Sequence, residues 1–255
     1  MTHSRFHIPL KIDQNSTAGI KHGTDIAELL HHTSLIIWDE SSMQHRHAFE
    51  CVDRSLHDIM SYVNPAREKK PFGGITVVFG GDFHQILPVI PKATRAEVVG
   101  ATLIQSKLWD HCQVFILKQN MRLHSSNTPE HNKVIKEFSD WKLKVGDGKL
   151  SKASDSANRY GPTDTNGLSN LKGQFSLQLC FAMMVNKSQG QSLDTVGLYL
   201  PKLVFCHGQL YVAIARVTSP KGLYILIDSD SGQSTNITEN IVFEEVFYNL
   251  PDIDD

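Results

Sequence analysis

Two short apolar runs that stop abruptly at acids constrain this chain more than any other feature. Leu35-Ile36-Ile37-Trp38 ends at Asp39-Glu40, and Ile75-Thr76-Val77-Val78-Phe79 ends at Gly80-Gly81-Asp82. Continuous apolar runs of this length read as strands buried on both faces, the signature of a parallel sheet. Between them Phe49, Val52, Leu56, Ile59, Met60 and Val63 recur at three- and four-residue steps. That spacing predicts a long helix from Met43 to Val63 with one apolar stripe, stopped by Asn64-Pro65. Strand, helix and strand in this order indicate a parallel α/β sheet whose C-terminal edge carries acids. Upstream, Asp25 as N-cap with Glu28 three residues on predicts a short helix from Thr24 to His31.

Further along, Val114 to Leu117 reads as a third strand and Asn132 to Val145 as a helix, stopped by Gly146 and Gly148. From Lys149 to Gly173 the composition turns to Ser, Asp, Asn, Gly and Thr with almost no large apolar residue. Such a segment is a linker or a disordered loop. Past it come a strand (Phe175 to Met183), a second strand (Thr195 to Leu200), a helix (His207 to Val217), a strand (Leu223 to Ile227) and an apolar stretch from Ile241 to Leu250. The expected organisation is a first α/β domain over 1–148, a polar linker over 149–173, a second over 174–250 and an acidic tail over 251–255.

Composition narrows the function classes. No apolar run approaches the roughly 20 residues of a membrane helix, and the start, Met1 to Lys11, is too polar for a signal peptide's apolar core, so no membrane partner is expected. A formal net charge of -2 gives no global basic signature, so any contact with nucleic acid must be local. Cys51, Cys112, Cys180 and Cys206 stand singly, which suggests reduced thiols and neither a zinc site nor a disulfide framework. His31-His32 and His45-Arg46-His47 lack a carboxylate or thiolate at ligand spacing and read as solvated positions.

An Asp-Glu pair closing a buried strand can hold the Mg²⁺ of a bound nucleotide with the first acid and position the attacking water with the second. Capping of the following helix is an equally good account of Asp39-Glu40 taken alone. The second run continues as Gly80-Gly81-Asp82-Phe83-His84-Gln85-Ile86-Leu87-Pro88-Val89. Its glycines permit a tight turn, and it offers an acid and an amide where a terminal phosphate could be sensed.

Taken in order, Asp39-Glu40, Gly81-Asp82 with Gln85 and Pro88, Asn120-Met121-Arg122-Leu123, Met183 to Leu193 (MMVNKSQGQSL) and His207 to Val217 (HGQLYVAIARV) resemble motifs II to VI of PIF1-type helicases of superfamily 1B. Thr2-His3-Ser4-Arg5-Phe6 with Ile8-Pro9-Leu10 is similar to that family's single-strand-contacting segment. The likeness extends to the helicase portion of Helitron-type transposons and their plant relatives. It implies two RecA-like domains of the P-loop NTPase class, both incomplete here, with ATP and Mg²⁺ as cofactors and single-stranded DNA as partner.

By position, the resemblance implies that Asp39 holds Mg²⁺, Glu40 acts on the hydrolytic water and Gln85 reports the γ-phosphate. Asp82 and Gly190 would lie at the nucleotide. Arg122 and Arg216 would reach across the interdomain cleft to neutralise charge on the transferring phosphoryl group. Lys187, Ser188 and Gln189, with His3 and Ser4, would line the single-strand path. The implied activity is 5′ to 3′ unwinding in DNA repair, recombination or telomere maintenance, by a monomer in the nucleus or the mitochondrion.

The sequence departs from that pattern in three places. No G-x-x-x-x-G-K-[ST] occurs, and Gly146-Asp147-Gly148-Lys149-Leu150 lacks both the spacing and the hydroxyl; the loop would be expected upstream of Met1. Between Val145 and Phe175 there is a polar linker where relatives carry a longer stretch. Ala215 stands where the family usually has Ser. Without the loop, nucleotide phosphates lose their backbone cradle and lysine, so this chain is expected to be catalytically impaired. Two other readings stay open: a non-catalytic, transposon-derived fragment that binds single-stranded DNA or a partner, and an unrelated metal-dependent hydrolase using Asp39, Glu40 and Asp82.

Overall fold

The computed structural model describes residues 2–121, 128–150, 182–228, 234–235 and 237–251. They divide into two compact units, one formed by residues 1–83, 87–116 and 245–255 and the other by 84–86 and 117–244. The expected linker falls mainly on residues outside those described, as does most of the strand expected from Phe175. The helix expected at the end of the first domain belongs to the second unit.

In the first unit, helices α1 (Thr2–Arg5), α2 (Asp25–His31), α3 (Arg46–Val63) and α4 (Arg95–Gly100) accompany strands β1 (Leu35–Trp38) and β2 (Thr76–Phe79). The strands pair in parallel, with Ile36 opposite Val77 and Trp38 opposite Phe79. Side chains alternate across a strand, so these four residues share one face, and that face packs into the core. Phe49, Val52, Leu56, Ile59 and Met60 of α3 are fully or almost fully buried there, as their spacing predicts.

Three sequence expectations are corrected. The strands are not buried on both faces: Leu35 is 52% exposed, Ile37 73% and Val78 49%, because the buried cluster built on α3 gathers Ile36, Trp38, Val77 and Phe79 but not these three. Asp25 does not cap α2. The cap is Thr24, whose side chain accepts from the Ala27 N–H at 3.4 Å, while Asp25 occupies the first helical turn and still complements the helix dipole. Val114 to Leu117 forms no strand; Phe115 and Leu117 are 76% and 96% exposed, and a short run without a ladder partner has nothing to hold it extended.

The second unit is built on α5 (Pro129–Gly146), β3 (Val196–Leu200), α6 (Gln209–Ile214), β4 (Leu223–Asp228) and β5 (Ser234–Thr235). β3 and β4 are parallel, with Leu198 opposite Ile225; β5 adds antiparallel to β4. Phe138 and Val145 from α5 and Ala213 and Ile214 from α6 bury against Leu198 and Leu200. Cys51, Cys112 and Cys206 are free thiols, and burial pushes each of them up. No helix among the described residues is long and apolar enough to cross a membrane.

The first unit depends on the aromatic contact between α3 and the sheet. Phe49 is fully buried, with its ring 4.6 Å from Trp38 and 5.3 Å from Phe79. Phe49→Ala is expected to cost about 3–5 kcal/mol, measured as a lowered urea midpoint, whereas Tyr62→Ala on the exposed side of the same helix is expected to change it little.

Candidate functional site

In the first unit the backbone ladder runs past the ends of both strands. Gly80 N–H donates to the Trp38 carbonyl at 2.9 Å and Ser41 N–H to the Gly80 carbonyl at 2.8 Å. This brings Asp39 and Glu40 beside Gly80 and Gly81. A Cβ at Gly80 would sit 3.1 Å from Asp39 Oδ1, and one at Gly81 would sit 2.8 Å from Ser41 Oγ. Glycine is what lets the two strand ends approach so closely.

The Asp39 carboxylate is exposed, and its Oδ1 accepts from the Glu40 N–H at 2.9 Å. Glu40 is left-handed at φ 55, ψ 41, a conformation that costs a non-glycine residue about 1–2 kcal/mol. Strain of this kind concentrates at functional sites. Asp82 is half-buried. Asp39, Glu40 and Asp82 do not make a three-carboxylate metal cluster; none with three or more His, Cys, Asp or Glu occurs among the described residues.

Ser4 and Asp39 line one open hollow of about 550 Å³ whose walls include Phe6, Ile26, Ile36 and Trp38. Phe6 stacks on Trp38 at 5.6 Å. A residue expected on the DNA path and one expected on the metal thus face a common space. His3 is engaged within the unit: Nδ1 lies 3.4 Å from the Ile8 carbonyl and Nε2 lies 3.2 Å from the Gln44 amide.

The second unit holds Gln85, Arg216 and the Lys187–Gly190 turn. The resemblance assigns Arg216 to the transferring phosphoryl group; the structure places it only 6% exposed. Nε donates to the Val212 carbonyl at 2.8 Å, and one terminal nitrogen donates to the Ser188 and Gln191 carbonyls at 2.9 Å each. A buried guanidinium needs such acceptors, and its planar fork matches several at once. Ser188 is likewise buried, its hydroxyl donating to the Val185 carbonyl at 2.7 Å. Lys187 is exposed, Gln189 half-buried, and Gly190 turns the chain at φ +75. Arg122 lies outside the described residues.

Sequence reasoning missed one hydrogen-bonded side-chain pair in this unit. His84 Nε2 lies 2.8 Å from Asp147 Oδ1. Burial raises the Asp147 carboxyl, but hydrogen bonds from Lys149 and His84 outweigh it and leave the group below its usual range. The available signal was Gly146 and Gly148 around an acid, which reads equally well as a helix stop.

Residues 1–156 match the family model of PIF1-like helicases. The human ATP-dependent DNA helicase PIF1 is 43% identical over 70 residues, 28% of this chain and 11% of that protein. Its rat counterpart is 51% identical over 53 residues, 21% of this chain and 8% of that protein. The alignments thus span only a small part of these relatives' length. Among solved structures, Pif1 helicase from Bacteroides in complex with ADP-AlF3 and ssDNA matches with a TM-score of 0.56 at 18% identity, over 94% of this chain and 80% of that one. Bacteroides Pif1 bound to ssDNA matches with a TM-score of 0.54 at 18% identity, over 88% and 78%. At that identity the likeness establishes the fold, which is RecA-like α/β with parallel sheets.

The buried state of Arg216 has a direct consequence for stability. Arg216→Ala leaves the Gln191 and Val212 carbonyls without their guanidinium donor, while the Ser188 carbonyl keeps the Gln191 N–H, and is expected to cost about 3 kcal/mol in chemical denaturation; a change within about 0.5 kcal/mol would mean that the side chain is a solvated charge.

Proposed function

Because the chain belongs to the PIF1-like helicase family, we propose that it forms part of the motor of an ATP-dependent DNA helicase that moves 5′ to 3′ on single-stranded DNA. The observation that carries this reading is the convergence of Asp39, Glu40 and Gly80 at the C-terminal edge of a parallel strand pair. An exposed carboxylate beside a glycine is a fit for Mg²⁺, which takes one or two carboxylates and completes its shell with water and phosphate oxygens. Magnesium-bound ATP would supply the scissile phosphate bond and the charge neutralisation at its terminal phosphate.

The chain's own residues then divide the work. Asp39 binds the metal and Glu40 orients the attacking water and takes its proton. The strained backbone at Glu40 directs that carboxylate, and its neighbour's is held by the Glu40 N–H. Gln85 senses the terminal phosphate, while Asp82 and Gly190 flank the nucleotide. Lys187 offers an exposed cation to a DNA phosphate with Gln189 beside it, and Ser188 shapes their turn from within. In the first unit Ser4 is the exposed contact and His3 supports it. Arg122 contributes charge to the reacting phosphoryl group. For Arg216 to do the same, it must exchange the Ser188 and Gln191 carbonyls for phosphate oxygens.

The 255 residues contain no G-x-x-x-x-G-K-[ST]. This favours a second reading, in which these residues alone grip single-stranded DNA without turnover, as a transposon-derived fragment would. A monomer on DNA has no support from the relatives, since one solved structure concerns two coordinating Pif1 helicases at forked duplex DNA. Work in DNA repair, recombination or telomere maintenance, in the nucleus or in the mitochondrion, belongs to the same proposal.

ATP turnover with an oligo-dT strand separates the readings. The 255-residue chain is expected to retain the strand and show no DNA-stimulated hydrolysis; the same chain extended by a phosphate-binding loop is expected to hydrolyse ATP, and Glu40→Gln to abolish it. Turnover by the 255 residues that Glu40→Gln abolishes would contradict the impaired state. Metal-dependent hydrolysis with no need for nucleotide would contradict the helicase reading altogether.

A further inference from the structure

The run Gly146-Asp147-Gly148-Lys149 is the nearest thing in this sequence to a phosphate loop, and the structure gives it another occupant, the peptide His84–Gln85. The His84 imidazole meets the Asp147 carboxylate at 2.8 Å, with the two side chains 19% and 23% exposed. The other carboxylate oxygen accepts from Lys149 Nζ at 2.9 Å. With an oxygen committed on each side, the carboxylate is held in one orientation. The His84 ring rests 5.6 Å from Tyr211 of α6, tilted by 43°.

Two glycines make the approach possible. A Cβ at Gly146 would come within 2.9 Å of His84 Cδ2 and 3.0 Å of Tyr211 Cδ2. Gly208, at φ +71, precedes α6, and a Cβ there would lie 2.6 Å from both the carbonyl carbon and the carbonyl oxygen of Gln85. The contacts at Gly208 are with backbone and cannot be relieved by a side-chain rotation, so a larger residue there would push the peptide out, whereas one at Gly146 would displace the His84 and Tyr211 rings. The end of α5 and the start of α6 therefore close on one dipeptide. At its other end α6 leads into Arg216, whose guanidinium holds the turn that carries Lys187.

We propose that Asp147 is a positioning residue: through the His84 imidazole it fixes the Gln85 peptide against the first turn of α6, so that Gln85 and the helix leading to Arg216 are set as one piece. The significance of that piece for nucleotide sensing rests on the reading of Gln85 given above, whereas the link from Asp147 to Gln85 does not. The ligand felt by the assembly is the terminal phosphate of a nucleoside triphosphate, and Asp147 acts on it only through His84 and Gln85.

The test is NMR on the ¹⁵N-labelled 255-residue chain at one fixed pH. Asp147→Ala is expected to move the backbone and side-chain amide signals of Gln85 and the amide of Gly208, and to remove the hydrogen-bond signature of His84 Nε2. The amides of Leu198 and Ile225 in the β3–β4 pair should stay in place. Asp147→Asn keeps an acceptor oxygen and is expected to return the Gln85 signals toward their original positions, a rescue that a general loosening of the fold would not give. Should Asp147→Ala fail to fold, Lys149→Ala releases one side of the carboxylate and is expected to shift the same signals by less. Gln85 and Gly208 signals that hold still while those of His84 move would overturn the proposal. A separate result would strike the sensing role and leave the link standing: Gln85→Ala without effect on ATP turnover in the chain extended by a phosphate-binding loop.

Discussion

The first unit hangs on the contact of Phe49 with Trp38 and Phe79. These three rings join the long helix to both strands at their C-terminal ends, next to the residues where the acids begin. Aromatic side chains bury more area than any others and hold preferred mutual angles, so the contact fixes the helix as well as drying it. With Trp38 and Phe79 pinned opposite each other in the ladder, Asp39 and Gly80 have little choice about where they emerge. The position of the candidate metal carboxylate is thus a consequence of packing several ångströms away from it.

A second theme is close approach at glycine. Gly80 and Gly81 let one strand end lie against Asp39 and Ser41, and Gly146 and Gly208 let two helix ends grip the His84–Gln85 peptide. In both units the residues nearest the proposed chemistry are set by close contacts at glycine that a single methyl group would disturb. Hydrogen bonds then finish what proximity starts, through Glu40 N–H on Asp39 in one unit and Asp147 on His84 in the other. Rigid first contacts supported by a second layer are how sites hold geometry to within a fraction of an ångström.

Much of this was legible in the sequence because the governing signals are local. The stripe from Phe49 to Met60 is an i, i+3, i+4 pattern that needs only helix geometry, and the acids at the ends of two apolar runs mark strand termini directly. Val63 belongs to the same pattern yet is 59% exposed, since the last turn of α3 has outrun the core. The burial of Arg216 was not legible, because a helical pattern places a side chain on a face of its helix without saying what it meets there: the Ser188 and Gln191 carbonyls come from a turn distant in sequence, and the Val212 carbonyl lies one helical turn back. The same blindness hid the Asp147–His84 pair, whose members are 63 residues apart. The open faces of Leu35, Ile37 and Val78 were likewise hidden, because apolar content reports what a strand would bury, and burial depends on the neighbours at hand.

The central claim is that the carboxylate closing β1 is the divalent-metal position of a nucleotide site. Mn²⁺ carries the same charge as Mg²⁺, prefers similar ligands and broadens nearby NMR signals, so it tests the position even when binding is weak. In a titration of the ¹⁵N-labelled chain with Mn²⁺ and ATP, the account predicts that the amides of Asp39, Glu40, Gly80 and Gly81 broaden first and that Asp39→Asn removes the effect. Early broadening centred on other carboxylates, with these four amides untouched, would contradict it.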